Sequence, residues 1–196
     1  MTAPGTTARP RPPARERRLP GDADMWVMIL GDLFIFGCYF VTYMVFRAMS
    51  ADEFTASQRH LDIDVGVVNT VVLLTSSLFA ALAVLAVREG ASRQAQRLLL
   101  ATGACGVLFT LIKAYEWHAE ISHGHTIHDE FYSFYFVLTG VHLVHLALGL
   151  LVLGVAGREL RNPRRRRPAI VEQCVLFWHM VDLLWVVIFA LLYLMR

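Results

Sequence analysis

The sequence has 196 residues, of which 56% are hydrophobic and 17% are charged, and its formal net charge is +2. A soluble domain carries closer to a quarter charged residues. The apolar residues fall in runs of about 20, the length that a helix needs to cross roughly 30 Å of hydrocarbon. These runs lack the polar–apolar alternation of a membrane β-barrel. The composition therefore excludes an ordinary soluble domain and predicts an all-α integral membrane protein.

Five apolar runs follow a polar N-terminal segment. Residues 1–24 are rich in Pro and Arg and lack the apolar core of a signal peptide, so we interpret them as a disordered basic cytoplasmic tail. We expect residues 25–196 to form one domain, a five-transmembrane-helix bundle. The predicted spans cover about residues 26–47, 65–87, 98–118, 131–156 and 170–195. Polar segments connect them, including SADEFTASQRHLDID after the first span and the His-rich HAEISHGHTIHDE after the third.

Arginine is strongly segregated along the chain. The tail, the second loop and the fourth loop carry most of it: Arg9, Arg11, Arg15, Arg17, Arg18, Arg88, Arg93, Arg97, Arg158, Arg161 and Arg164–Arg167. The other two loops are mainly acidic. Because Lys and Arg concentrate on the cytoplasmic side, we expect a cytoplasmic N-terminus and a C-terminus outside. We interpret the Arg164–Arg167 run as a topology signal that touches anionic lipid, and we predict no nucleic-acid partner.

Several ionisable residues fall inside the predicted spans. Such groups are costly in hydrocarbon and are expected to face one another or a cavity. Residues three positions apart on a helix share a face, as do His142 and His145, and His179 and Asp182. We expect a buried polar network that joins the first, fourth and fifth spans, formed by Asp32, His142, His145, Glu172, His179 and Asp182. Its plainest role is contact between helices, while metal binding and proton transfer stay open.

Two further polar sets have simpler interpretations. Lys113 and Glu116 are three positions apart near the outer end of the third span, which indicates a salt bridge at a helix end. The second span carries polar residues suited to helix packing: Asn69, Thr70, Ser76 and Ser77. The solvated loop histidines, His118, His123, His125 and His128, suit only adventitious metal binding. Since no span contains a Glu-x-x-His motif, and no hydrolytic triad or phosphate-binding loop is present, we predict no catalytic residue and no bound metal.

Five segments, in chain order, resemble helices of haem–copper (cytochrome c) oxidase subunit III: WVMILGDLFIFGCYF, VNTVVLLTSS, LFTLIKAYEW, FYSFYFVLTGVHLVHLALGLLVL and VEQCVLFWHMVDLLWVVIFALLYLMR. The resemblance covers about residues 25–196, nearly the whole chain. The last segment contains the specific Trp-His-x-Val-Asp pattern. One departure is Asp32, where the family has Glu. Another is the helix number, since large members have seven helices and this chain resembles a short form without the first two.

The details GDL, SQRHL, KAYEW and HMVDLLW most resemble the short subunit III-like branch associated with nitric-oxide reductases. The resemblance implies a non-catalytic accessory subunit of a respiratory haem–copper oxidase or nitric-oxide reductase in the bacterial inner membrane. It implies bound phospholipid, haem and copper only in a catalytic partner subunit, and a role in assembly, stability and proton uptake. The motifs leave open which of the two complexes the chain joins.

Two other functions compete with the accessory subunit. A small proton-conducting channel or transporter would use the intramembrane acids and histidines, although the sequence shows no internal repeat of the kind common in transporters. A membrane metalloenzyme would bind its metal at His142, His145 and His179.

Overall fold

The computed structural model describes residues 23–59, 61–122, 129–161 and 168–195. The predicted tail lies outside these residues except for positions 23 and 24, where the first helix begins. The Arg164–Arg167 run and the loop histidines His123, His125 and His128 also lie outside them.

The described residues form six α-helices and one short π-helix. They are α1 (Ala23–Met49), α2 (Ala51–Gln58), α3 (Ile63–Arg88), α4 (Ser92–Ser122), α5 (Glu130–Arg161), α6 (Pro168–Phe189) and the C-terminal π-helix (Ala190–Leu194). Five helical segments are long and apolar enough to cross a membrane: α1, α3, α4, α5, and α6 together with the π-helix. The prediction of an all-α, five-span membrane protein is confirmed.

The spanning helices extend beyond the predicted spans, and α4 does so most clearly. It begins at Ser92 rather than near residue 98, and it ends at Ser122 rather than near residue 118. Hydropathy marks only the segment that suits hydrocarbon, whereas the helical hydrogen bonds continue through the polar interface. His118 and Glu120 therefore lie on a helix and not in a solvated loop. The Glu120 side chain is 7% exposed and hence buried.

The polar segment after α1 also contains structure that hydropathy does not reveal. Residues Ala51–Gln58 form the short helix α2, which packs against α1 and α5. Its inner face consists of Phe54 and Gln58, both buried. The Phe54 ring lies 5.7 Å from the Tyr43 ring of α1 and 5.8 Å from the Phe131 ring of α5. Two buried side chains thus hold an otherwise polar helix on the end of the bundle.

Helix α6 is the centre of the bundle and packs against α1, α3 and α5. Its two tryptophans, Trp178 and Trp185, are fully buried. Trp178 fits between two glycines: a Cβ on Gly106 of α4 would lie 2.7 Å from its ring, and one on Gly149 of α5 would lie 2.9 Å away. Small residues at these two positions let three helices approach closely around one large side chain.

Candidate functional site

A buried polar cluster lies between α4, α5 and the C-terminal π-helix. The Lys113 ammonium donates to the Glu116 carboxylate at 3.1 Å, to the Tyr193 hydroxyl at 2.7 Å and to the Tyr135 hydroxyl at 3.2 Å. Both tyrosines also donate to Glu116, Tyr135 at 2.7 Å. The Lys113 Nζ lies 5.1 Å from the centre of the Trp185 ring. Hydrogen bonds and aromatic faces therefore surround a fully buried ammonium.

The position of this pair differs from the prediction. Lys113 and Glu116 do pair, but α4 continues to Ser122, so the contact is not at a helix end. The pair is internal because Tyr135 and Tyr193 cover it from neighbouring helices. Sequence reasoning missed both tyrosines, which look like ordinary interfacial aromatics at the ends of their spans.

Asp32 and His145 approach each other where α1 meets α5. His145 Nε2 lies 3.7 Å from Asp32 Oδ2, and His145 Nδ1 lies 2.9 Å from the Val141 carbonyl oxygen. The Phe36 ring packs edge-on against the imidazole. The two side chains remain 24% and 18% exposed, so this contact lies at an open edge of the bundle. The first and fourth spans therefore approach each other at these two side chains.

His142 and Asp182 are both buried inside the bundle. The His142 ring lies between Phe109, with ring centres 5.6 Å apart, and Trp185, at 5.3 Å. Neither ring nitrogen of His142 and neither carboxylate oxygen of Asp182 has a hydrogen-bond partner in the described part of the chain. Direct hydrogen bonds among the described residues therefore do not join these two side chains to the Asp32–His145 contact.

The polar residues of α3 mostly contact α6. Trp178 Nε1 donates to Ser76 Oγ at 3.0 Å, and Trp185 Nε1 donates to Thr70 Oγ1 at 3.1 Å. Ser77 Oγ lies 2.7 Å from His179 Nδ1. Three of the four residues predicted to pack α3 thus bond to α6 side chains. The fourth, Asn69, is fully buried, and its amide has no hydrogen-bond partner among the described residues.

Glu172 lies far from the middle of the predicted network. Its carboxylate accepts from Arg88 Nε at 2.8 Å, which joins the first turns of α6 to the last residue of α3. The Arg88 side chain is 57% exposed and that of Glu172 is 23% exposed. This pair is therefore a solvent- or lipid-accessible contact at the surface of the bundle, where the last turn of α3 meets the first turns of α6.

One contact missed by sequence reasoning ties α2 to the end of the chain. Gln58 Nε2 donates to the carbonyl oxygens of Leu191 at 3.2 Å and Leu192 at 3.1 Å. The Tyr43 hydroxyl also donates to the Leu191 oxygen, at 3.1 Å. Arg47 donates to Gln58 Oε1 at 3.0 Å. Leu191 and Leu192 lie in the last turn of the final helix, where backbone carbonyls lack intrahelical partners, and Gln58 bonds both of them.

The arrangement bears directly on the metalloenzyme alternative. His142 packs between aromatic rings, His145 lies beside Asp32, and His179 lies beside Ser77. In residues 23–59, 61–122, 129–161 and 168–195, no group of three or more His, Cys, Asp or Glu side chains is placed to hold a metal ion. The three intramembrane histidines thus have different neighbours: aromatic rings for His142, Asp32 for His145 and Ser77 for His179.

Comparison with known proteins identifies the family. The family model described as cytochrome c oxidase subunit III matches residues 22–196, which is nearly the whole chain. The chain belongs to the cytochrome c oxidase subunit III family. The resemblance predicted from the five helix motifs is confirmed at this level, and the chain is a multi-pass membrane protein of the respiratory chain.

Three relatives illustrate the range of subunit III proteins that the chain resembles. It is 27% identical to cytochrome c oxidase subunit 3 of Thermostichus vulcanus, covering 86% of this chain and 84% of the relative. It is 30% identical to cytochrome bo(3) ubiquinol oxidase subunit 3 of Pseudomonas aeruginosa, covering 87% and 82%. It is 30% identical to the heme-copper oxidase subunit I+III of Aeropyrum pernix, covering 87% of this chain but only 22% of that protein.

These three relatives are all named as subunits of oxidases. They support the broad family of subunit III, and they give no support to the narrower resemblance to a nitric-oxide-reductase-associated branch. The name of the Aeropyrum pernix protein joins a subunit I and a subunit III.

Proposed function

We propose that this chain is the non-catalytic accessory subunit of a haem–copper oxidase complex in a bacterial inner membrane. The family match over residues 22–196 carries this proposal. The Aeropyrum pernix protein supports a direct association with the catalytic subunit, since its name joins subunits I and III. Members of this family carry no haem or copper themselves, so the catalytic partner would hold both. An accessory subunit is also favoured over an independent proton channel, because the family consists of parts of larger complexes.

The contacts of the bundle suit a role in assembly and stability. Ser76, Thr70 and Ser77 bond to α6, and the Lys113 cluster joins α4, α5 and the π-helix. We infer that these polar side chains fix the helices in one arrangement, so that the outer faces form a constant surface. Exposed apolar side chains such as Val27 and Phe34 of α1 then face phospholipid or other subunits.

The distribution of arginine supports an N-terminus in the cytoplasm and a C-terminus outside. Reporter fusions near residues 92 and 163 should then be cytoplasmic, and those near residues 57 and 124 should lie outside. An opposite pattern would overturn this orientation.

Deletion of the gene tests the supporting role. Membranes that lack the chain should still contain catalytic subunits, but the yield of assembled complex or the duration of its turnover should fall. Expression of the full-length chain should restore both. Unchanged yield and unchanged turnover in the deletion strain would contradict the proposal.

Nitric-oxide reductase is the second candidate for the partner complex. The motifs GDL, SQRHL, KAYEW and HMVDLLW favour it, whereas the names of the relatives favour an oxidase. Consumption of O2 and of NO by the complex purified through this chain discriminates between the two. We expect O2 consumption with a quinol or cytochrome c donor. Consumption of NO without O2 reduction would assign the chain to a nitric-oxide reductase.

Asp32 is the residue on which a role in proton uptake depends. It contacts His145 at 3.7 Å, and we infer that this contact is mainly structural. Asp32→Asn keeps the shape and hydrogen-bonding capacity but removes the titratable group, so it should assemble and turn over normally. Asp32→Leu should assemble poorly, because His145 would lose its partner. Normal assembly of the Asn variant with an altered pH–rate profile would assign Asp32 to proton uptake instead.

A further inference from the structure

A groove of about 250 Å³ runs between α3 and α6 on the outside of the bundle. Its walls are apolar side chains, Ala81 and Val84 from α3 and Val175 and Leu176 from α6. Ala81 is exposed, so the α3 backbone is accessible to a neighbouring helix. Small residues of this kind permit close helix packing inside membranes.

At one end of the groove, the polar side chain of His179 lies within the membrane. His179 lines the groove and is only partly buried. It lies eleven residues after Pro168, and hence about 16 Å along α6, near the middle of the hydrocarbon layer. Ser77 bonds its Nδ1, and no other described side chain bonds the ring, so Nε2 has no side-chain partner among the described residues. An unpaired polar group at this depth is costly.

This imidazole discriminates between the possible occupants of the groove. A lipid acyl chain would cover the apolar walls but would leave Nε2 without a hydrogen bond. A transmembrane helix can cover the same walls and also bring a hydroxyl, amide, carboxylate or backbone carbonyl to the imidazole. The polar end of the groove therefore favours a protein helix.

The end of the groove near Arg88 and Glu172, opposite to His179, provides a second polar contact. Arg88 uses its Nε to bind Glu172 and remains 57% exposed, so its terminal guanidinium nitrogens are accessible at the membrane edge. On α6, His179 lies seven residues after Glu172, which is about 10 Å or two helical turns. Since Arg88 bonds Glu172, the two polar groups, His179 at mid-membrane and Arg88 at the edge, are about this far apart along α6. Together they would fix the register of an adjacent helix.

We propose that the groove between α3 and α6 is the docking site for a transmembrane helix of the catalytic, haem-containing subunit. The docked helix places apolar side chains against the groove walls and donates or accepts a hydrogen bond at His179 Nε2. This inference rests on the proposed function, which supplies the partner, and adds the face through which it binds.

A matched pair of substitutions tests the site in the full chain, expressed with its native complex. Ala81→Trp fills the groove, whereas Ala104→Trp makes the same change at an exposed alanine of α4. The Ala81 variant should recover at least fivefold less haem-containing subunit per purified chain than the wild type, and the Ala104 variant should match the wild type. His179→Leu should also reduce recovery, and His179→Gln should restore part of it. Equal recovery with all of these variants would overturn the proposal.

Photo-cross-linking identifies the occupant without depending on stability. A benzophenone amino acid at Leu176 in the groove should cross-link to the catalytic subunit, while the same group at Leu111, an exposed residue of α4, should not. Adducts with lipid alone, or with a different protein, would refute the docking site even if the complex co-purifies intact. A chain that never co-purifies with haem protein would instead refute the proposed function, and this inference with it.

Discussion

At the scale of single residues, Lys113 shows how the bundle accommodates a charge. Glu116 on its own helix and two tyrosines from other segments bond to it, and three aromatic rings lie within 5.2 Å of its Nζ. A buried ion pair contributes little compared with an apolar pair of the same shape, but removal of one partner leaves an uncompensated charge. The cluster therefore makes the local packing sensitive to single substitutions.

This asymmetry gives a prediction for stability. Lys113→Met should destabilise the purified protein by roughly 3–5 kcal/mol, because the Glu116 carboxylate stays buried. The double variant Lys113→Met with Glu116→Leu should lose clearly less than the sum of the two single variants. Thermal unfolding in detergent, analysed as a double-mutant cycle, measures this difference. Additive losses would show that the two side chains do not act as a pair.

A second residue-scale prediction concerns the glycines around Trp178. Gly149→Ala should destabilise the bundle by about 1–3 kcal/mol, since the new Cβ would lie 2.9 Å from the indole ring. Gly154→Ala, five residues later on α5, meets no atom within 4 Å and should be neutral or slightly stabilising. The two apparent melting temperatures compare them directly. Equal melting temperatures for both variants would contradict the close packing of Trp178.

At the scale of elements, the contact between α2 and the π-helix should control the order of the C-terminus. Gln58→Leu removes the amide that binds the Leu191 and Leu192 carbonyls, at a cost of roughly 1–3 kcal/mol. We expect amide hydrogen exchange in residues 190–195 to become at least roughly tenfold faster.

Thr55→Val is the control for that experiment. Among the described residues, the Thr55 hydroxyl bonds just the Ala51 carbonyl of its own helix, so its loss should leave exchange at the C-terminus unchanged. If both variants exchange at the same rate as the wild type, Gln58 does not hold the π-helix in place.

The elements also show which features the sequence could predict. The five spans were predictable because a membrane crossing demands about 20 apolar residues in a row. Helix α2 could not be predicted, because only Phe54 and Gln58 of its eight residues are buried and no hydropathy signal marks them. The ends of the helices could not be predicted from hydropathy, because helical hydrogen bonding continues past the apolar segment, as in α4.

The same limit applies to the polar site. The i, i+3 spacing predicted the contact between Lys113 and Glu116, because both residues lie on one helix. The partners Tyr135 and Tyr193 depend on the rotation and depth of other segments, which no local pattern encodes. The single network expected from the acids and histidines remains a prediction, because contacts between helices depend on the same rotation and depth. Residues at similar depth on different helices can face different neighbours, as Ser77 beside His179 and Arg88 beside Glu172 show.

At the scale of the whole molecule, the centre and the edges of the bundle have different characters. Helix α6 is largely enclosed by its neighbours, whereas α1 exposes Val27, Leu30, Phe34 and Val41. Exposed apolar surface of this extent is normal for a chain surrounded by lipid, and it also suits contact with other membrane subunits. The outer helices therefore offer apolar surface to lipid or to other subunits, whereas the centre of the bundle does not.

The most direct test of that account is affinity purification of the tagged full-length chain from its native membranes in mild detergent. The chain should bring down the catalytic subunit at about one copy per chain, with the absorbance bands of haem in the purified complex. A chain recovered alone, with no haem protein from membranes that contain active oxidase, would contradict its assignment as an accessory subunit.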